Sequence, residues 1–379
     1  MKKIILSVFM GCLLGFFTAP AALADKPEPA AENRGNVPIR YIPQPPQTLT
    51  LCGEKVPLDD PFIAEQLDRE FNSLVHDQAQ IIMCLKRAGR YFPYITRELK
   101  AAGLPDDLKF LAVTESFLLH YVQSKAGALG LWQFMPATGR QYKLAINDTI
   151  DERLNPEKST HAAIAYFKYL HRMFNNWALA MASYNCGQGK VLNELKEQGA
   201  KSYYDLYLPR ETMRYVYRVM AMKIILSDPE AYGYHIPKEH IYAPYQGDSI
   251  TLTVTNPLPL RDLAAYSKST VRYLRELNPE LKVNTLPKGS YQLLMPQGQG
   301  TNVMKQAQRN QAGVSDKPAA PDKPGTAIKP QQQLWQVKAG DTLSSIAQRF
   351  NVSVDAIKAA NNIKGNNIQV GQKLVIPAK

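Results

Sequence analysis

The sequence predicts a multidomain protein: one mostly α domain, a β-α-α-β unit, a flexible linker and a second β-α-α-β unit. Three features lead there. Apolar residues recur at helical spacing through residues 58–230, with prolines near helix starts and glycines near helix ends. After Tyr232 the pattern changes to short β-branched runs, and a self-comparison at an offset of 83 residues matches 252–278 with 335–361. Between these, residues 298–333 are rich in Gln, Pro, Lys and Ala, the composition of a linker. The 379 residues are 45% hydrophobic and 21% charged, a globular balance that excludes a disordered, collagenous or disulfide-dense chain.

In chain order, residues 1–24 read as a signal peptide. Lys2 and Lys3 precede an apolar run from Ile4 to Phe17, and Ala22-Leu23-Ala24 is a small-x-small cleavage site before Asp25. The run is shorter than the roughly 20 apolar residues of a spanning helix. Cys12 after Gly11 is a competing lipoprotein site, disfavoured because it would leave only about eight apolar residues. The expected location is therefore the periplasm or cell envelope. Residues 25–57 carry seven prolines from Pro27 to Pro57 and should be extended. The helical domain, 58–230, opens with Asp60 as cap, Pro61 in the first turn and Ile63, Leu67, Phe71 and Leu74 at helical spacing. Further helices are expected at 78–88, 93–102, 105–119, 156–174, 177–185, 189–198 and 209–226, with Gly89, Gly103 and Gly199 just past helix ends.

The repeat matches Leu252 with Trp335, Val254 with Val337, Leu260 with Leu343, Leu263 with Ile346, Leu274 with Ile357 and Asn278 with Asn361. Leu294-Met295-Pro296 then answers Val375-Ile376-Pro377. The second copy, 334–379, is expected to run strand, helix 342–350, helix 353–360 and returning strand 373–376. The first occupies 231–297. Because the matched residues are mainly core types, the repeat argues for a shared fold more strongly than for shared binding.

Lys+Arg 45 against Asp+Glu 33 gives a net charge of +12, or +10 once Lys2 and Lys3 are removed. That sign suits an acidic partner. For an exported protein the partner is an acidic envelope polymer rather than nucleic acid, since the basic residues are dispersed instead of clustered with aromatics. The mature chain keeps Cys52, Cys84 and Cys186, which allows one disulfide; Cys52–Cys84 is one pairing, with Cys186 a small buried hydrophobe. Neither the cysteines nor the scattered histidines have ligand spacing, so no metal or other cofactor is expected.

One residue stands out chemically. Leu108, Leu111 and Ala112 line one face of a helix, and Glu115 falls on that same face. A carboxyl on an apolar face loses hydration, which raises its pKa toward the range of a general acid at neutral pH. Periodicity alone favours a surface Glu near a helix end. The surrounding motifs narrow the choice: Val113-Thr114-Glu115-Ser116, then Ser124 to Gly139 containing Gly130-Leu131-Trp132-Gln133-Phe134-Met135-Pro136, then Ala182-Ser183-Tyr184-Asn185-Cys186-Gly187. This series resembles the lytic transglycosylases that cleave peptidoglycan. With Leu208-Pro209-Arg210-Glu211-Thr212-Met213-Arg214-Tyr215-Val216 it looks like the membrane-bound lytic murein transglycosylase D group. Val337-Lys338-Ala339-Gly340-Asp341-Thr342-Leu343 and the closing Val370 to Pro377 look like a LysM module. The resemblance covers nearly the whole mature chain except the Pro-rich start and the linker.

What the resemblance implies is a lysozyme-like catalytic domain, a degenerate LysM-like unit at 231–297 and a LysM domain at 334–379. Glu115 takes the position of the family's single acid/base. Ser124 and Gln133 match groove-lining positions, Tyr184 and Asn185 match the Ala-Tyr-Asn motif with Ser183 in place of its Ala, and Tyr215 matches a tyrosine near the catalytic Glu. Gly340, Asp341 and Thr342 would meet glycan; the earlier copy has Asn256-Pro257-Leu258-Pro259 there, where two prolines remove backbone donors, so it should be a structural spacer. The expected partner is peptidoglycan and the expected state a monomer. Each residue also has a structural reading: Gln133 and Asn185 could satisfy backbone groups at helix ends, and Tyr184, Tyr215 and Trp132 could be core aromatics. Two other functions remain open. One is a hydrolytic lysozyme using Asp148, Asp151 or Glu152 as second carboxylate in a solvated loop at 147–155. The other is a non-catalytic wall-binding protein.

Overall fold

The computed structural model describes residues 42–311, 333–338, 340–350, 352–363 and 365–376. The expected signal peptide, most of the Pro-rich segment and much of the linker lie outside them. The chain divides into two compact units at residues 304 and 305.

The first unit opens with β1 (Thr50–Leu51) and β2 (Glu54–Lys55), antiparallel across the two-residue loop Cys52-Gly53. Both loop residues have positive φ, 54° and 85°, as a tight hairpin of this hand requires. Cys52 tolerates this because its N–H donates to Asp107 Oδ2 at 2.6 Å. Leu51 and Val56 are buried in the helical core, so the segment expected to be merely extended already belongs to that domain. Cys52 and Cys84 are free, and burial raises both thiols, Cys84 to about 12.

The helices are α1 (Pro61–Val75), α2 (Gln78–Ala101), α3 (Lys109–Ser116), α4 (Pro136–Gln141), α5 (Pro156–Phe174), α6 (Trp177–Cys186), α7 (Gln188–Gln198) and α8 (Arg210–Ser227). Asp60 and Asn155 cap α1 and α5 as a first-turn proline predicts. Two expectations fail at α2. It is one helix through Pro93, not two, and Gly89 lies inside it rather than past an end. Gly89 is there for clearance: a Cβ would sit 2.0 Å from Ile241 Cγ2, and the adjacent Tyr242 N–H donates to Lys86 O. Packing holds the helix together across the hydrogen bond that Pro93 cannot make.

The first β-α-α-β unit follows within the same compact body. β3 (Gly247–Val254) pairs antiparallel with β6 (Gly289–Pro296), and α9 (Leu260–Tyr266) and α10 (Val271–Leu277) lie between them in sequence. The Pro257 to Pro259 stretch, expected to be a stiff loop, contributes β4 (Leu258–Pro259), which pairs with β5 (Thr285–Leu286) and buries Leu258. The expected linker is also corrected at its start. Gly300–Gln311 form α11, its first turn fastened by Gly300 N–H to Asp248 Oδ2 (2.8 Å) and Asn302 Nδ2 to Tyr266 O (2.7 Å). Val303 and Ala307, one turn apart and buried, supply an apolar stripe that the polar composition conceals.

The last described part runs β7 (Gln333–Gln336), α12 (Leu343–Phe350), α13 (Val354–Asn361) and β8 (Lys373–Ile376), with β7 antiparallel to β8. Its core is Val337, Leu343, Ile346, Ala347, Ile357, Leu374 and Ile376. Several of these are residues that the 83-residue offset matches with buried positions of the first copy.

Candidate active site

Glu115 sits on the last turn of α3. The helix stops at Ser116, short of the expected residue 119, because Phe117 and Leu118 both adopt left-handed backbone, φ 50° and 58°. Non-glycine residues there cost roughly 1 kcal/mol or more each. The surroundings compensate: Leu118 is buried, Arg87 Nη1 donates to Phe117 O at 3.0 Å, and Ser116 Oγ donates to Leu131 O at 2.8 Å. The strain is therefore stored beside the acid and fixes where α3 ends.

Burial pushes the Glu115 carboxyl up to about 7, against the hydrogen bond from Tyr215, with the Glu211 charge adding to the rise and Arg218 opposing it. Tyr215, on α8, donates its hydroxyl to Glu115 Oε1 at 2.6 Å. Tyr184, on α6, donates instead to Trp132 O at 2.7 Å; burial raises its hydroxyl pKa and the charge of Glu115 raises it further, which puts the two side chains within electrostatic reach. Asn185 Oδ1 accepts from Thr212 Oγ1 at 2.8 Å, tying α6 to the start of α8. Ser183 is fully buried, and its hydroxyl has no hydrogen-bond partner among the described residues, which fits a position where the family pattern has Ala.

The segment 122–134 is a small cage of backbone bonds. Gly130 N–H donates to Val122 O, Leu129 N–H to Phe134 O and Ser124 N–H to Ala128 O. Gln133 has positive φ, 49°, and its Nε2 donates to Val122 O (2.9 Å) and Gly130 O (2.8 Å); Ser124 Oγ accepts from Ala128 N–H. The structural reading thus describes the contacts these two side chains make in the free protein. Trp132 is core, donating its indole N–H to Thr160 Oγ1.

The loop at 147–155 is not the solvated stretch that its polarity suggests. Asp151 and Arg153 are buried and paired through two bonds of 3.0 and 2.7 Å, while Glu152 accepts from Ala145 N–H and Lys158 Nζ. Only Asp148 of the three acids is exposed. Sequence reasoning missed a second network: buried Glu70 on α1 accepts from Arg214 and Arg218 on α8, on either side of Tyr215. The signal was one that Glu115 also carries, a carboxylate on the apolar face of a helix.

In the C-terminal unit, Gly340 is exposed with φ 90°. Asp341 Oδ2 accepts from Trp335 Nε1 and Lys338 N–H, both at 2.9 Å, and Thr342 and Ser345 cap one another at the start of α12. The Asp341 carboxylate is engaged in holding its own loop.

Comparison with known proteins agrees with this layout. The Transglycosylase SLT domain model matches residues 93–207, and the LysM domain model matches 336–377. The membrane-bound lytic murein transglycosylase D of Escherichia coli (strain K12) is 30% identical over 302 residues, covering 77% of this chain. The chain spans 64% of that relative's length. The peptidoglycan transglycosylase gp16 of Escherichia phage T7 is 37% identical over 98 residues, 25% of this chain and 7% of its own. Among solved structures, the lytic transglycosylase Slt of Pseudomonas aeruginosa aligns over 41% of this chain and 26% of its own, at 25% identity and a TM-score of 0.32. No helix among the described residues is long and apolar enough to cross a membrane. The chain thus carries a transglycosylase SLT domain that contains Glu115, followed by a C-terminal LysM domain.

Proposed function

We propose that the chain is an exported peptidoglycan lytic transglycosylase, with a lysozyme-like catalytic domain that cleaves the β-1,4 bond between N-acetylmuramic acid and N-acetylglucosamine. The observation that carries the reading is the Glu115 carboxyl, held near neutrality by burial and hydrogen-bonded by Tyr215. Because Tyr215 donates to Oε1, the acid proton of neutral Glu115 resides on Oε2, free to go to the bridging oxygen. As the bond breaks, positive charge grows on the muramyl ring and the muramyl acetamido oxygen meets it. Glu115, now a carboxylate stabilised by the Tyr215 hydroxyl, takes the proton of the muramyl C6 hydroxyl, which attacks C1 of the same sugar. The products are a 1,6-anhydromuramyl end and a free N-acetylglucosamine end, and no water is consumed.

A hydrolase would need a second carboxylate to activate water. Asp151 and Glu152 are committed to Arg153, Lys158 and Ala145, which supports the one-carboxylate reading. Ser124, Gln133, Tyr184 and Asn185 shape the glycan groove in this account, and the 122–134 cage forms one wall of it. The C-terminal unit tethers the enzyme to the wall through the loop at Gly340, Asp341 and Thr342. In this reading the chain acts on peptidoglycan as a monomer, with no cofactor, metal or nucleic acid required.

Mass spectrometry of products released from purified sacculi tests the reaction. Anhydromuramyl ends are expected. New reducing muramyl ends would replace the mechanism by hydrolysis, and an absence of products would leave a wall-binding protein.

A further inference from the structure

The first β-α-α-β unit docks against the segment that follows α4. Leu281 bridges Ile150: Asp151 N–H donates to Glu280 O and Lys282 N–H to Thr149 O, both at 2.9 Å. Lys282 Nζ adds a bond to Asn147 O (2.6 Å), and Asn155 Nδ2 one to Glu280 Oε1 (3.0 Å). Glu280 is 2% exposed, so this is a closed contact. Elsewhere the two parts flank a cavity of about 500 Å³, lined by Tyr91, Tyr94, Asn155, Tyr245, Glu276 and Glu280 among others. A separate contact is made by α2, where Arg90 donates to Ala243 O and Tyr245 Oη, both at 3.2 Å.

The same segment reaches the 122–134 cage on its other side. Arg153, 5% exposed, is aligned by Asp151 and donates Nη1 to Gly127 O (2.9 Å) and Phe134 O (3.0 Å). Its own carbonyl lies against Gly130, where a Cβ would sit 1.9 Å from the oxygen, and φ there is +86°. One buried guanidinium therefore pins two points of the 122–134 cage, the element that carries Ser124 and Gln133.

We propose that the first β-α-α-β unit is a positioning element of the glycan cleft, acting from Leu281 and its neighbours through the 147–155 segment and Arg153 on the 122–134 cage. This rests on the proposed function only in taking the cage as a wall of the groove. The unit that its prolines mark as a spacer thereby acts in the reaction without touching substrate. Arg153 is a positioning residue: it sets where the groove wall stands, while the Glu115–Tyr215 bond itself is made between α3 and α8.

The test is Lys282→Pro in the full chain, which deletes the N–H donated to Thr149, beside Lys282→Ala, which keeps it. Amide hydrogen exchange read without substrate should rise about 10-fold or more in 122–134 for Lys282→Pro and much less for Lys282→Ala, with 210–227 unchanged. On peptidoglycan, KM should rise about 10-fold, with kcat and the upper limb of the pH profile nearly unmoved. Should Lys282→Pro fail to fold, Glu280→Ala, which removes the first unit's acceptor for Asn155 Nδ2, carries the same comparison. Exchange confined to 147–155 with a quiet cage, or a fall in kcat at unchanged KM, would overturn the proposal. If the parent itself cleaves nothing, the proposed function fails, and the exchange result alone decides the coupling.

Discussion

The two β-α-α-β units share one framework and differ at one loop. In each, an asparagine at the end of the second helix clamps the last strand. Asn278 donates to Leu274 O and Leu294 O and accepts from Leu294 N–H; Asn361 does the same with Ile357 O, Val375 O and Val375 N–H. After the first strand they diverge. The first copy folds Leu258 and Pro259 into a strand pair that buries Leu258 and Leu286, whereas the second presents an exposed Gly340 and a mutually capped Thr342 and Ser345. Core and clamp are common to both copies, while the loop after the first strand pairs inside the unit in one and is an exposed turn in the other; the first copy meets the neighbouring domain at Glu280, Leu281 and Lys282 instead.

The largest effect that could break this comparison is on wall binding. A chain ending at Gln311 should lose retention on purified sacculi by about 10²- to 10⁴-fold, the scale of a lost tether. Retention equal to that of the parent would assign binding to the first copy and cancel the division between them. Next comes the clamp: Asn278→Ala and Asn361→Ala should each destabilise their own unit by about 2 kcal/mol, because each leaves one carbonyl and one N–H of the last strand without their side-chain partner. Local exchange rates would read this, and a large difference between the two would show the clamp to be shared in outline only.

Glu115→Gln should act in the opposite direction. Its folded pKa lies above the ordinary carboxyl value, so the folded state holds the proton more tightly and the parent loses stability as pH rises from about 4.5 through about 7. Denaturant unfolding should find the variant more stable than the parent by up to about 3 kcal/mol at pH 8 and equal to it at pH 4. No difference at pH 8 would mean that burial does not strain the acid. The smallest effect is at the divergent loop: Thr342→Ala should cost the C-terminal unit about 1 kcal/mol, the worth of a helix cap. At the matching Pro259, which has no side-chain cap, substitution by Ala should leave α9's capping unaffected.

How far the sequence could be read follows from what each feature depends on. Asp60 and periodicity placed α1, and Pro156 near its start placed α5, since these residues act on their own backbone. The repeat at 83 residues located both small units and matched the two clamps, because core spacing is a local record of a fold. The helix face of Glu115 by itself favours a surface residue; the motif series singles out Glu115 and Tyr215, whose side chains the fold places 2.6 Å apart. What was not legible depends on distant packing. Gly89 reads as a helix end until Ile241 is seen against it, Asp151 and Arg153 read as a solvated loop until they pair, and Glu70 meets its arginines only when α1 and α8 pack. The first copy reads as a spacer because its prolines are visible in sequence, while the bonds from Glu280 and Lys282 are not.

Whether one carboxyl serves as both acid and base is read from the rate of glycan cleavage by Glu115→Gln on purified peptidoglycan. Gln keeps the shape and accepts the Tyr215 bond but has no proton to transfer. The account predicts a fall of at least about 10²- to 10⁴-fold, with unchanged retention on sacculi. A variant that cleaves at a rate comparable to the parent would contradict it.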